Sequence, residues 1–132
     1  MPHILLHHSG PVDAALARSS VDKVMDLTCR VLGKKPEVIS IQVLFTPEDQ
    51  WFIGASTLAE SGRSAFHLDI SVTDETNTKA EKAQFIRELF DAMKSLRPNL
   101  HDVSYVYVID ARAAAYGYGG KTQEYRHQQA GV

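Results

Sequence analysis

The sequence predicts an α/β fold in which two strand–helix–strand units form one four-stranded sheet with two helices on one face. Three observations lead there. Runs rich in β-branched and apolar residues occupy positions 2–8, 38–45, 65–72 and 102–109. Apolar residues recur at helical spacing between the first and second runs, and again between the third and fourth. The two halves also share this order at a nearly constant offset, His3 onto His67 by 64 positions and Val38 onto Val103 by 65. Right-handed crossovers in both units put both helices on the same side of the sheet.

The elements follow in order. Pro2 to His8 form a strand closed by the turn Ser9-Gly10-Pro11. From Asp13 to Leu32 a stripe of Ala14, Ala17, Val21, Val24, Thr28 and Val31 predicts a helix, and Gly33 ends it. Pro36 precedes the second strand, followed by a turn through Pro47-Glu48-Asp49 and a hairpin arm at Trp51-Phe52-Ile53. Residues 56–64 are small and polar, and read as a loop. After the third strand, Thr78 and Glu81 have the spacing of a capping box, and a stripe of Ala83, Ile86, Leu89, Phe90 and Met93 carries a helix to about Leu96. The fourth strand ends near Ile109. One domain therefore spans 1–132, with repeats at 1–55 and 65–110 and an irregular tail at 111–132.

Composition narrows the function. Fourteen Lys and Arg against 16 Asp and Glu, with no basic block, exclude the phosphate-tracking field of a nucleic-acid binder. The single cysteine, Cys29, excludes an internal disulfide framework and suits a reducing compartment, so a cytoplasmic location is expected. No apolar run approaches the ~20 residues of a membrane span, and Ile4-Leu5-Leu6 is too short for a signal segment. Apolar residues fall on both alternations of the strands. The sheet face without helices should therefore find cover in self-association.

Chemistry can begin at Pro2. An initiator methionine is normally trimmed before a small residue, and trimming here bares a secondary amine at the first position of a strand. Apolar burial or a nearby cation would lower its pKa toward neutrality, where it can both accept and return a proton.

With that position in view the chain resembles the tautomerase superfamily. The resemblance rests on Met1-Pro2 opening strand one, Gly33-Lys34-Lys35-Pro36-Glu37 before strand two and Trp51-Phe52-Ile53-Gly54 at the hairpin. Phe66-His67 at strand three, Tyr105 to Asp110, and Arg112 to Gly119 complete it. It implies trimers or hexamers with an amino-terminal proline as acid or base in a pocket between subunits, and no cofactor. By resemblance Pro2 is the catalytic proline, Lys34 a pocket lysine and Tyr107 a tyrosine acting on substrate or water. Tyr105 is then a second pocket tyrosine, Trp51 the aromatic that closes the pocket, and Arg112 a cation for a neighbouring subunit.

Departures restrict the substrate. Where relatives carry dicarboxylate-binding arginines this chain has Val12 and Gln42, and an arginine pair after strand three is replaced by Asp74-Glu75-Thr76-Asn77. An acidic loop cannot clamp a carboxylate as arginine does. The resemblance implies keto–enol proton transfer on a small enol or keto acid. Two alternatives stand beside it: decarboxylation, dehalogenation or hydration of a three-carbon acid, and a non-catalytic trimeric binding protein. His3, His7 and His8 predict no metal site, because His3 and His7 are roughly 13 Å apart on a strand and His7 and His8 face opposite ways. The glycines at 117, 119 and 120 lack the strand-to-helix setting of a nucleotide loop.

Overall fold

A computed structural model of the chain describes residues 2–130. β1 (His3–Ser9) leads through α1 (Ala14–Arg30) to β2 (Ser40–Thr46), and a hairpin of β3 (Phe52–Ile53) and β4 (Ser56–Thr57) then runs into α2 (Leu58–Ser61). β5 (Phe66–Thr73), α3 (Lys79–Leu96) and β6 (Tyr105–Ala111) form the second unit, and β7 (Gly117–Tyr118), β8 (Lys121–Thr122) and α4 (Gln123–Gln129) follow. The main sheet has the order β2-β1-β5-β6, parallel within each unit and antiparallel between β1 and β5. Register preserves the repeat. His3 pairs with Ser40 and His67 with Tyr105, so the offsets are 67 − 3 = 64 and 105 − 40 = 65.

Asp13 starts α1 by accepting from Leu16 N–H at 3.0 Å, and Thr78 and Glu81 cap α3 reciprocally. Both helices pack on one sheet face, where Val24, Leu27, Phe85, Leu89 and Met93 meet Ile4, Leu6, Leu68, Ile70 and Val72. Each large apolar side chain so buried contributes about 1.5–3 kcal/mol before entropy is counted. The stripe read for α3 holds at Leu89, Phe90 and Met93 but not in its first turns, where Phe85 is in the core while Ala83 is exposed and Ile86 is 39% exposed. The i, i+4, i+8 line of Phe85, Leu89 and Met93 faces the sheet and Phe90 packs at its edge.

Two further expectations change. The 56–64 segment is not a plain loop, since β4 pairs with β3 and α2 begins with a capping box between Thr57 and Glu60. The tail is not irregular either, for it holds a hairpin and a seven-residue helix capped by Thr122. The open sheet face is also less apolar than expected. On it Leu5, Leu44, Ile109, Tyr105 and Tyr107 alternate by register with Ser40, Gln42, His67, Asp69 and Ser71. Among the described residues no helix is long and apolar enough to cross a membrane.

Candidate functional site

Pro2 is buried, and its carbonyl accepts from Ser40 N–H at 3.3 Å, which extends the β1–β2 ladder by one residue and fixes the ring. Lys34 comes to it from the end of α1. Gly33 takes φ +70, donates to Cys29 O at 3.1 Å, and turns the chain so that Lys34 N–H reaches Thr28 O at 3.2 Å. The Lys34 Nζ donates to Thr76 Oγ1 at 3.0 Å. Burial pushes its ammonium below the usual lysine range, and the charge of Glu81 opposes that shift. The loop after β5, read from sequence only as acidic, thus orients the lysine through Thr76. Asn77 ties this loop to α1 by donating to Leu32 O at 2.9 Å.

Pro2, Gly33, Lys34, Lys35, Val38 and Gln123 line a recess of about 240 Å³. A base at Pro2 with an ammonium beside it can move a proton and hold an oxyanion. Gln123 and Val38 escaped the sequence reading. Gln123 lies in the tail, where the only signal was Thr122 placed to cap a short helix.

The other nominated residues stand elsewhere in the protomer. Tyr107 pairs with Asp69, which pairs with Leu5, so it is two strands across and three residues along from Pro2, roughly 14 Å away. Tyr105 and Tyr107 are not core aromatics, being 54% and 52% exposed on the open face. There His67 Nε2–H donates to its own strand's Asp69 Oδ1 at 2.9 Å, and its ring lies parallel to Tyr107 at 5.7 Å and near Tyr105 at 6.4 Å. His7 meets it edge-on at 6.5 Å.

Trp51 belongs to a hollow of about 400 Å³ on this side, shared with Phe52, His7, His67 and Asp69. His7 is five residues along β1 from Pro2, roughly 16 Å. Gln42 is exposed on the open face beside Leu5, and Arg112 is exposed just past β6 with no ion pair among the described residues. One protomer therefore unites Pro2 with Lys34 and separates both from Gln42, Trp51, Tyr105 and Tyr107. His7 and His8 face opposite sides, His8 being buried against Ser20 at 2.8 Å. No three His, Cys, Asp or Glu side chains gather as metal ligands among the described residues.

No protein-family profile matches the sequence, and no curated protein matches it. Solved structures do. The chain superposes on Pt0534 inactivated by 2-oxo-3-pentynoate with a TM-score of 0.81 and 11% identity, over 94% of this chain and 98% of that one. The symmetric trimer of wild-type fused 4-OT gives 0.79 at 12% identity over 92% and 96%, and a macrophage migration inhibitory factor-like protein from Entamoeba histolytica gives 0.74 at 15% over 92% and 97%. The paired strand–helix–strand units, their register and these superpositions over nearly the full length agree: the chain has the fold of the tautomerase superfamily.

Proposed function

We propose that this protein is a cofactor-independent tautomerase that moves a proton between the enol and keto forms of a small acid. Its base is the Pro2 nitrogen, bared by removal of Met1. The observation that carries the reading is the placement of Pro2, buried at the head of β1 in a recess it shares with a desolvated lysine. Two cations in so small a space repel, so an amine there favours its neutral form near pH 7 and can act as a base. It takes a proton from the α-carbon or the enol oxygen and returns the same proton to the other site. The Lys34 ammonium stabilises the oxyanion formed between these steps.

Assembly completes the site. The tyrosines, Trp51 and Gln42 are remote from Pro2 within one protomer, so they serve a Pro2 only across a subunit boundary. The fused 4-OT trimer supports a threefold arrangement of this fold. In the homotrimer Tyr107 of a neighbouring copy orients or protonates the substrate, and light scattering should return three times the 14.6 kDa protomer mass.

The decisive experiment compares three proteins: the mature chain, Pro2→Ala, and a form in which mass spectrometry shows Met1 retained. Retention turns the base into an amide without a usable lone pair and should cost ~10²- to 10⁴-fold in kcat/KM. Pro2→Ala, which keeps an amine, should cost less. Wild-type activity with Met1 present would remove Pro2 from the mechanism. With Gln42 and an acidic loop in place of arginines, phenylenolpyruvate should be turned over more efficiently than 2-hydroxymuconate. The reverse order would show that Lys34 or Arg112 clamps a second carboxylate.

A further inference from the structure

Gln123 opens α4 and lines the recess that holds Pro2. Its Oε1 is buried with no hydrogen-bond partner among the described residues. A buried acceptor left unpaired costs about 1–3 kcal/mol, and native structures seldom carry one without a reason.

The segment that holds Gln123 there is well fastened. The Tyr116 hydroxyl bonds Thr73 Oγ1 at the end of β5, and Gln123 N–H donates to Tyr116 O at 3.0 Å. Thr122 accepts from Tyr125 N–H at 3.0 Å, and the Arg126 guanidinium lies 3.9 Å over the Tyr118 ring while donating to Tyr118 O at 2.9 Å. At Gly117 a Cβ would stand 2.0 Å from Lys121 O, so only glycine lets the hairpin close. Because β5 runs antiparallel to β1, its end lies beside the start of β1, and the tail is pinned over the end of the sheet where Pro2 sits.

The donors near this oxygen are few. Lys34 and Lys35 line the recess, Lys34 with one of its three N–H groups given to Thr76, and neither bonds this oxygen. A proline nitrogen inside a peptide has no hydrogen, but removal of Met1 would give it one as a neutral amine and two as an ammonium. We infer that Gln123 is a positioning residue for the Pro2 amine, its Oε1 accepting a hydrogen bond from that nitrogen and turning the remaining lone pair toward the substrate. This rests on the role proposed for Pro2. Lys34 and Lys35 from the turn after α1 both oppose a positive charge in the recess, while Glu81 on α3 acts on Lys34. Among the described residues no acidic side chain lines it. Gln123 is then the polar group that favours the protonated amine against two lysines.

The test is an NMR titration of the amino-terminal nitrogen in ¹⁵N-proline-labelled mature protein, compared with Gln123→Leu and Gln123→Glu. Loss of the acceptor should lower the amine pKa by about one unit, a tenfold change in proton affinity, and a carboxylate should raise it by at least as much. The acid limb of kcat/KM against pH should move with it in both variants. Glu keeps the length and the acceptor, so it carries the test if Leu loosens α4. A pKa unmoved in both variants overturns the role of Gln123 and leaves Pro2 intact. A protein with no titrating amine, because Met1 is still attached, overturns both.

Discussion

The two ends of the central β1–β5 pair are related by the internal repeat, yet they have opposite characters. The offset that carries His3 onto His67 carries Pro2 onto Phe66 and His8 onto Val72. At one end Pro2 adjoins a recess with lysines around it. At the other Phe66 is 1% exposed, His8 pairs with it across the strands, and the entrance is laced shut. Ser9 and Ala65 exchange hydrogen bonds at 3.0 and 2.9 Å, Phe66 N–H donates to Ser104 Oγ at 3.2 Å, and Arg63 donates to Asn99 O and Leu100 O at 3.0 and 2.9 Å. The fold supplies two equivalent strand starts. Side chains make one a candidate site and the other part of the core.

The contrast can be broken at the closed end first. Phe66→Ala should cost about 3–5 kcal/mol, read as a lower urea midpoint, because it empties a packed position. Pro2→Ala at the equivalent position should leave that midpoint nearly unchanged. Equal losses at both positions would mean that Pro2 is also a packing residue.

His8 sharpens the same comparison. Burial holds its pKa down at about 4 from 6.5, helped by the charge of Arg97 and opposed by Asp13. Between pH 6.5 and 4 the unfolded chain binds a proton that the folded chain refuses. Stability should therefore fall as pH drops through that window, by about 3 kcal/mol in all. His8→Gln should remove this share of the decline between pH 7 and 5 in urea titrations, and an unchanged decline would assign it to other groups.

The smallest effect belongs to the open end. Around Gly33 nothing lies within 4 Å of an added Cβ, so Gly33→Ala meets only the strain of φ +70. That should cost about 1 kcal/mol in stability, with a further loss in kcat/KM if the turn carries Lys34 away. A variant with full stability and activity would show that the turn tolerates another path.

How much of this was readable varies with length scale. The repeat was legible because strand and helix periods survive in each half, and the register reproduces its 64 and 65 offsets. The first turns of α3 were not, since Phe85 and Ile86 are adjacent and both strongly apolar, and only packing against the sheet decides between them. The tail hid its structure in two-residue strands and a seven-residue helix, below the length at which periodicity speaks. Pro2 draws attention as the first residue of a strand, a local signal, whereas Lys34 is nominated by resemblance alone, and it takes the fold to bring the two to one recess. Tyr107 and Trp51 could be placed on a strand and a hairpin, but their distance from Pro2 depends on the sheet order β2-β1-β5-β6 and on assembly.

The position of Trp51 gives the protein a built-in optical gauge. It is the chain's one tryptophan, half-buried in the hollow where two histidines and Asp69 also stand on the uncovered sheet face. Its emission therefore senses whether that face meets water or, in the proposed trimer, another subunit. Dilution that splits the proposed trimer should shift the band, and the shift can be followed on the unlabelled protein.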